Sequence, residues 1–214
     1  MNILKLKKTR NKQKGFSLIE LMISMVIGLI IMAAVLTMFI SMVGSNNDNL
    51  KSIRLNQDLR ATMGLITRGL RRAGGNRNAA VNSATTPATN PFDDIQVFTG
   101  SVEDTDADGD GVRTGNCVVF SYDADDGSNE LYGYQLATNA VESRTGGTIC
   151  GNSWEDVTDS SLITITNLDF ENTRVTESGV TINQITVTLS GELRRDSSVS
   201  RTLVETIKVR NDAI

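Results

Sequence analysis

The sequence predicts an α+β chain. One long N-terminal helix, apolar in its first half and amphipathic in its second, packs on a C-terminal antiparallel β-sheet domain. Three observations predict it. Residues 16–43 form an almost unbroken apolar run. Leu55, Leu59, Met63, Ile66, Leu70 and Ala73 then step by four, four, three, four and three, a single apolar stripe on a helix. Later segments rich in Ile, Thr and Val alternate apolar with polar residues, the period of half-buried strands. The expected organisation is a basic leader over 1–15, a membrane-length helix over 16–43, an amphipathic helix over 44–75 and a β-rich domain over 76–214.

The leader carries Lys5, Lys7, Lys8, Arg10, Lys12 and Lys14 and no acid. Taking these six charges from the net −4 of the whole chain leaves −10. The basic end belongs on the cytoplasmic side of a membrane. An acidic exported remainder does not suggest nucleic-acid binding, which wants a basic stripe.

The apolar run has 28 residues. As a helix it measures about 42 Å, more than the ~30 Å hydrocarbon core of a bilayer. Gly28 and the pair Ala33-Ala34 offer small surfaces for close packing, though a tolerated membrane glycine explains Gly28 equally well. Near its start stands one carboxylate, Glu20. An acid in an apolar segment is costly, roughly 2.5–3.5 kcal/mol at a helix centre and less near an end, and marks a functional candidate. Were the chain cut after Gly15, the new amine of Phe16 would lie one helical turn from that acid.

Lys14-Gly15-Phe16-Ser17-Leu18-Ile19-Glu20-Leu21 resembles the cleavage and methylation motif of type IV prepilins and pseudopilins. The resemblance implies a type IV pilin-like fold, cleavage by a prepilin peptidase between Gly15 and Phe16, N-methylation of Phe16 and an assembly role for Glu20. The motif covers about a tenth of the chain. The plain alternative is a signal-anchor with an incidental acid.

Residues 44–49, Gly-Ser-Asn-Asn-Asp-Asn, read as a polar break where the helix could kink. The stripe follows, with Arg54, Asp58, Arg60, Arg68 and Arg72 on the other face, and Gly74-Gly75 as the stop. A docking face for a sheet is the expected use of the stripe, ahead of a binding groove. Residues 76–90 read as a loop. Strands are expected over 92–98, 117–122, 130–136, 162–170, 182–189 and 202–209, with an acidic turn at 123–129 and a polar connector at 191–200. The Leu70-Arg71-Arg72-Ala73-Gly74 ending is similar to that of PilW-type minor pilins. So is the order Cys117-Val-Val-Phe-Ser-Tyr, Tyr132-Gly-Tyr, Cys150, Trp154 and Ile163-Thr-Ile-Thr-Asn-Leu-Asp-Phe170.

Cys117 and Cys150, the only cysteines, enclose a 34-residue loop. In an exported domain one disulfide is expected, worth roughly 3–4 kcal/mol by loop closure. Two buried thiols are the alternative. Asp104, Asp106, Asp108 and Asp110 alternate beside Gly109 and Gly111, like the front half of an EF-hand loop. The back half fails. Counting from Asp106 puts Cys117 at the twelfth position, and counting from Asp104 puts Gly115 there, where glutamate belongs. Ligands from Asp123, Asp125 or Asp126 could complete a Ca²⁺ site. A solvated acidic loop is the other reading.

The chain has no histidine, which removes His-based triads and His-ligated zinc. It holds no G-x-S-x-G, no Walker A loop and no C-x-x-C. An enzyme is therefore not expected. The resemblance implies a minor type IV pilin in the inner membrane, C-terminal domain in the periplasm, later carried into an extracellular pilus near its tip. Its implied partners are prepilin peptidase, other minor pilins, the major pilin, the inner-membrane assembly platform and membrane lipid. A J-type minor pseudopilin of type II secretion and a membrane-anchored binding protein that does not assemble are the alternatives.

Overall fold

The computed structural model describes residues 15–76, 92, 94–123, 131–147, 149–151, 154–177 and 180–209. The leader before Gly15, nearly all of the 76–90 loop and the acidic residues Asp125 and Asp126 lie outside the described residues.

One helix, α1 (Leu18–Leu70), dominates the N-terminal part. Residues 44–49 are helical, so the polar break is no interruption. Glycine, serine and asparagine cost up to about 1 kcal/mol each in a helix, yet extending a helix already nucleated is far easier than starting one. The chain forms two compact units, Met1–Asn49 and Leu50–Ile214. In the first, the large apolar side chains from Phe16 to Val43 are all exposed. A helix apolar all round buries its surface in lipid or against other helices.

Among the described residues, the second unit joins the later turns of α1 to ten strands. β1 (Ile95–Thr99), β2 (Val102–Glu103), β4 (Cys117–Ser121), β5 (Leu131–Ala137), β6 (Ala140–Thr145) and β7 (Glu155–Asp156) form one antiparallel sheet in the order β2-β1-β4-β5-β6-β7. β3 (Val112–Gly115), β8 (Ile163–Glu177), β9 (Val180–Leu193) and β10 (Asp196–Lys208) form the other, in the order β10-β9-β8-β3. Leu55, Leu59, Met63, Ile66, Leu70 and Ala73 are all at most 3% exposed. They share one core with Ile95, Val118, Phe120, Phe170, Ile185 and Val187 of the two sheets. Each large apolar side chain so buried contributes roughly 1.5–3 kcal/mol. The stripe is thus a docking face.

Two glycines show how the helix is placed. A Cβ at Gly69 would lie 2.6 Å from the Tyr134 hydroxyl, and that hydroxyl donates to the Leu65 carbonyl at 3.3 Å. Gly74 takes φ +75° after the last helical turn, and its N–H donates to the Ser121 carbonyl at the end of β4. Beside it Arg72 stacks over Tyr122, 4.2 Å from the ring centroid, and Tyr122 stacks on Tyr132 at 4.4 Å.

The strand expectations need correction at both ends of the domain. The connector over 191–200 is mostly strand. β9 runs to Leu193 and β10 starts at Asp196, leaving Arg194-Arg195 as the turn. These strands are polar because their outer face is solvated. Hydroxyls pair across it, Ser190 with Thr202 at 2.8 Å and Thr186 with Thr206 at 3.1 Å. The local sequence pattern does not predict β2, β3, β6 or β7. β5 and β6 join through Thr138-Asn139, both at positive φ, a two-residue turn without glycine. β3 follows the acidic loop and pairs with Phe170 to Thr173 of β8, whereas β4, one residue later, pairs with β1 and β5 in the other sheet.

Candidate functional site: the N-terminal motif and the acidic loop

Gly15, Phe16 and Ser17 precede the helix in non-helical backbone, and nothing lies within 4 Å of a Cβ built on Gly15. The Ser17 carbonyl accepts the first intrahelical bond, from Leu21 N–H at 3.1 Å. Ser17 is therefore the N-cap and Glu20 the third helical residue, the spacing of a capping box. An acid in the first turn also meets the positive end of the helix dipole, a favourable placement in its own right. The Ser-x-x-Glu spacing is itself a helix-start signal in the sequence, overlapping the cleavage motif. Phe16 is 81% exposed and Glu20 is exposed, so both are open to an enzyme or another subunit.

Cys117 and Cys150 form a disulfide, with Cα atoms 6.3 Å apart. It ties the start of β4 to the segment before β7, within a small core holding Phe98 and Val119. Gln135 fixes that segment further. Its amide nitrogen donates to the Gly151 carbonyl at 2.7 Å, and its oxygen accepts from Gly151 N–H at 3.2 Å.

The acidic loop separates into two roles. One carboxylate oxygen each from Asp106, Asp108 and Asp110 lies within 4.8 Å of the others. Asp104 does not join them. Its two oxygens accept the backbone N–H of Asp106 at 3.0 Å and of Thr114 at 2.8 Å. Those bonds hold its carboxyl below the usual carboxylate range. Asp106 also serves the backbone, accepting Gly111 N–H at 3.1 Å, and Asp110 accepts Val112 N–H at 2.8 Å. The register is the one that starts at Asp106. It runs out at Val112, where β3 begins, and its twelfth residue is the buried, bridged Cys117. Asp123 is not in the group of three either.

Residues 48–209 match the family described as prepilin peptidase-dependent protein B. The chain belongs to that family. Residues 10–36 also match the prokaryotic N-terminal methylation motif. No curated protein and no solved structure matches the chain. This prepilin peptidase-dependent protein is thus a type IV pilin-like chain, whose long N-terminal helix packs its second, amphipathic half on antiparallel sheets. That family membership supports interaction with the peptidase, and the one membrane-length apolar helix among the described residues is consistent with anchoring in the inner membrane.

Proposed function

We propose that the chain is a minor type IV pilin of the PilW kind. Prepilin peptidase cuts it between Gly15 and Phe16 and methylates the Phe16 amine. Residues 16–43 hold it in the inner membrane with the β domain in the periplasm. The processed subunit then enters a pilus at or near the tip, meeting the assembly platform, the major pilin and other minor pilins. The role is structural, with no catalysis.

One observation carries the reading. The scissile segment Gly15-Phe16-Ser17 stands outside the helix, and the helix that follows exposes apolar residues on every side with Glu20 in its first turn. Such a helix inserts in lipid and later packs in a fibre core. Glu20 is the acid that meets the Phe16 amine of the same or a neighbouring subunit. Intact-mass and N-terminal peptide analysis of membrane protein tests the processing, with cells lacking the peptidase as control. The expected species starts at methylated Phe16. Uncut chain in peptidase-positive cells rejects the reading. Gene deletion tests the assignment to pili, since lost surface pili support it and lost protein secretion with normal pili opposes it.

The calcium reading of the acidic loop is a separate proposal. It is supported by the convergence of Asp106, Asp108 and Asp110. An incomplete loop of this kind would bind weakly, at about 10⁻⁴–10⁻³ M. Calorimetric titration of the oxidised chain with Ca²⁺, against an Asp106→Asn/Asp108→Asn variant, decides it. Equal heats from the two proteins leave a solvated loop.

A further inference from the structure

A groove of about 710 Å³ runs between the exposed side of α1 and strand β10. Arg60, Arg68 and Arg71 line one wall, Leu203 and Glu205 the other. Two features set it apart. The first is charge. Asp58 is the only acid between residues 50 and 76, against Lys51, Arg54, Arg60, Arg68, Arg71 and Arg72. The chain beyond the leader is otherwise strongly acidic, so this wall is a local reversal of sign. The second is a free edge. β10 ends the order β10-β9-β8-β3, and among the described residues no strand pairs with its other side. An unpaired edge presents backbone N–H and C=O groups in a row, ready for another strand.

We propose that this groove takes up an extended acidic segment of a partner polypeptide by strand addition to β10. The backbone of the incoming segment would satisfy the open edge, and every second side chain would point at the arginines of α1. The wall already holds one carboxylate in this manner. Glu205 accepts from Arg71 at 3.3 Å. Farther along, and among the described residues, Arg60 donates through Nε to Asn56 and makes no ion pair, and Arg68 makes no ion pair. Those two guanidiniums are the ones left for incoming carboxylates, which they can bind through paired N–H groups. Space is available beside them, because a Cβ built on Gly64 meets nothing within 4 Å. Nucleic acid would satisfy the charge but not the edge, which only a polypeptide strand complements. The proposal does not rest on the assignment to pili.

The test uses the full chain in detergent and fluorescence anisotropy of a labelled peptide that alternates glutamate with valine. Controls are the lysine–valine peptide, a glutamate peptide interrupted by proline, and duplex DNA. Binding of the glutamate–valine peptide alone is expected, weakening as salt rises. Arg68→Glu and Gly64→Phe should each weaken it by about tenfold or more. A thermal melt shows that each variant is folded, and exposed Arg68→Gln replaces Arg68→Glu if that one is not. Equal binding of the proline-interrupted peptide would overturn strand addition. Tighter binding of DNA, or unchanged binding by folded Arg68 and Gly64 variants, would overturn the proposed site.

Discussion

Asp104 illustrates how one residue can serve a role its neighbours suggest for another. It sits in an alternating acidic run, yet its carboxylate closes the loop by accepting two backbone N–H groups. Its pKa is lowered first by the bond from Thr114, then by that from Asp106. A carboxyl with a lowered folded pKa contributes stability above its unfolded value, and that contribution disappears as pH falls through the folded one. Denaturant melts at a series of pH values should therefore show an acid limb below about pH 4 that Asp104→Asn makes shallower, the rest coming from Asp159 and Asp196, whose carboxyl pKa values are also lowered. Tyr122 acts at the other extreme. Burial, then the hydroxyl of Tyr132, pushes it up to about 12 from 10.0, while Arg72 pulls it down. A raised pKa means stability that is full below pH 10 and is lost as pH rises toward about 12. Tyr122→Phe should remove that alkaline loss, read by the same melts.

At the scale of elements, α1 carries two glycines five residues apart with opposite uses. Gly64 faces open space, so Gly64→Ala should stabilise by about 0.5–1 kcal/mol through helix propensity. Gly69 faces Tyr134, and a methyl group there forces the ring away from its bond to Leu65. Gly69→Ala should destabilise by about 1–2 kcal/mol despite the same propensity gain. Chemical denaturation of both variants separates the effects. Equal changes at the two positions would contradict the close approach of helix to sheet. The disulfide works between elements too. It joins β4 to a segment whose backbone is otherwise held by Gln135. Reduction, or Cys117→Ser with Cys150→Ser, should cost about 2–5 kcal/mol. Reductant should lower the melting temperature of the native chain but not of the double variant.

For the molecule as a whole, the apolar helix and the β-rich unit ask to be tested separately. Glu20→Val removes an acid from an apolar run, so membrane insertion should be unchanged or easier. On the proposed processing and assembly, incorporation into sheared pili should fall, measured as the pilus-to-membrane ratio of the protein, because the Phe16 amine released by that cleavage would lack its acid. An unchanged ratio would reduce Glu20 to the capping position it occupies in the first turn of α1. What the sequence determined by itself was everything set by local period and local chemistry. The apolar run, the stripe from Leu55 to Ala73, the Gly15-to-Glu20 motif and most of the strong strands belong to this class, because each is written in consecutive residues. β6 escapes because its turn, Thr138-Asn139, lacks the glycine that usually signals one, and the expected start of β10, residue 202, falls after the true start at Asp196 because the strand's outer face is polar. Only the tertiary structure decided the rest. It sent β3 and β4 to different sheets across Asn116, turned Asp104 away from the other three carboxylates, and set the arginines of α1 beside the open edge of β10. These outcomes depend on contacts between residues far apart in the chain, which packing selects and no local pattern encodes.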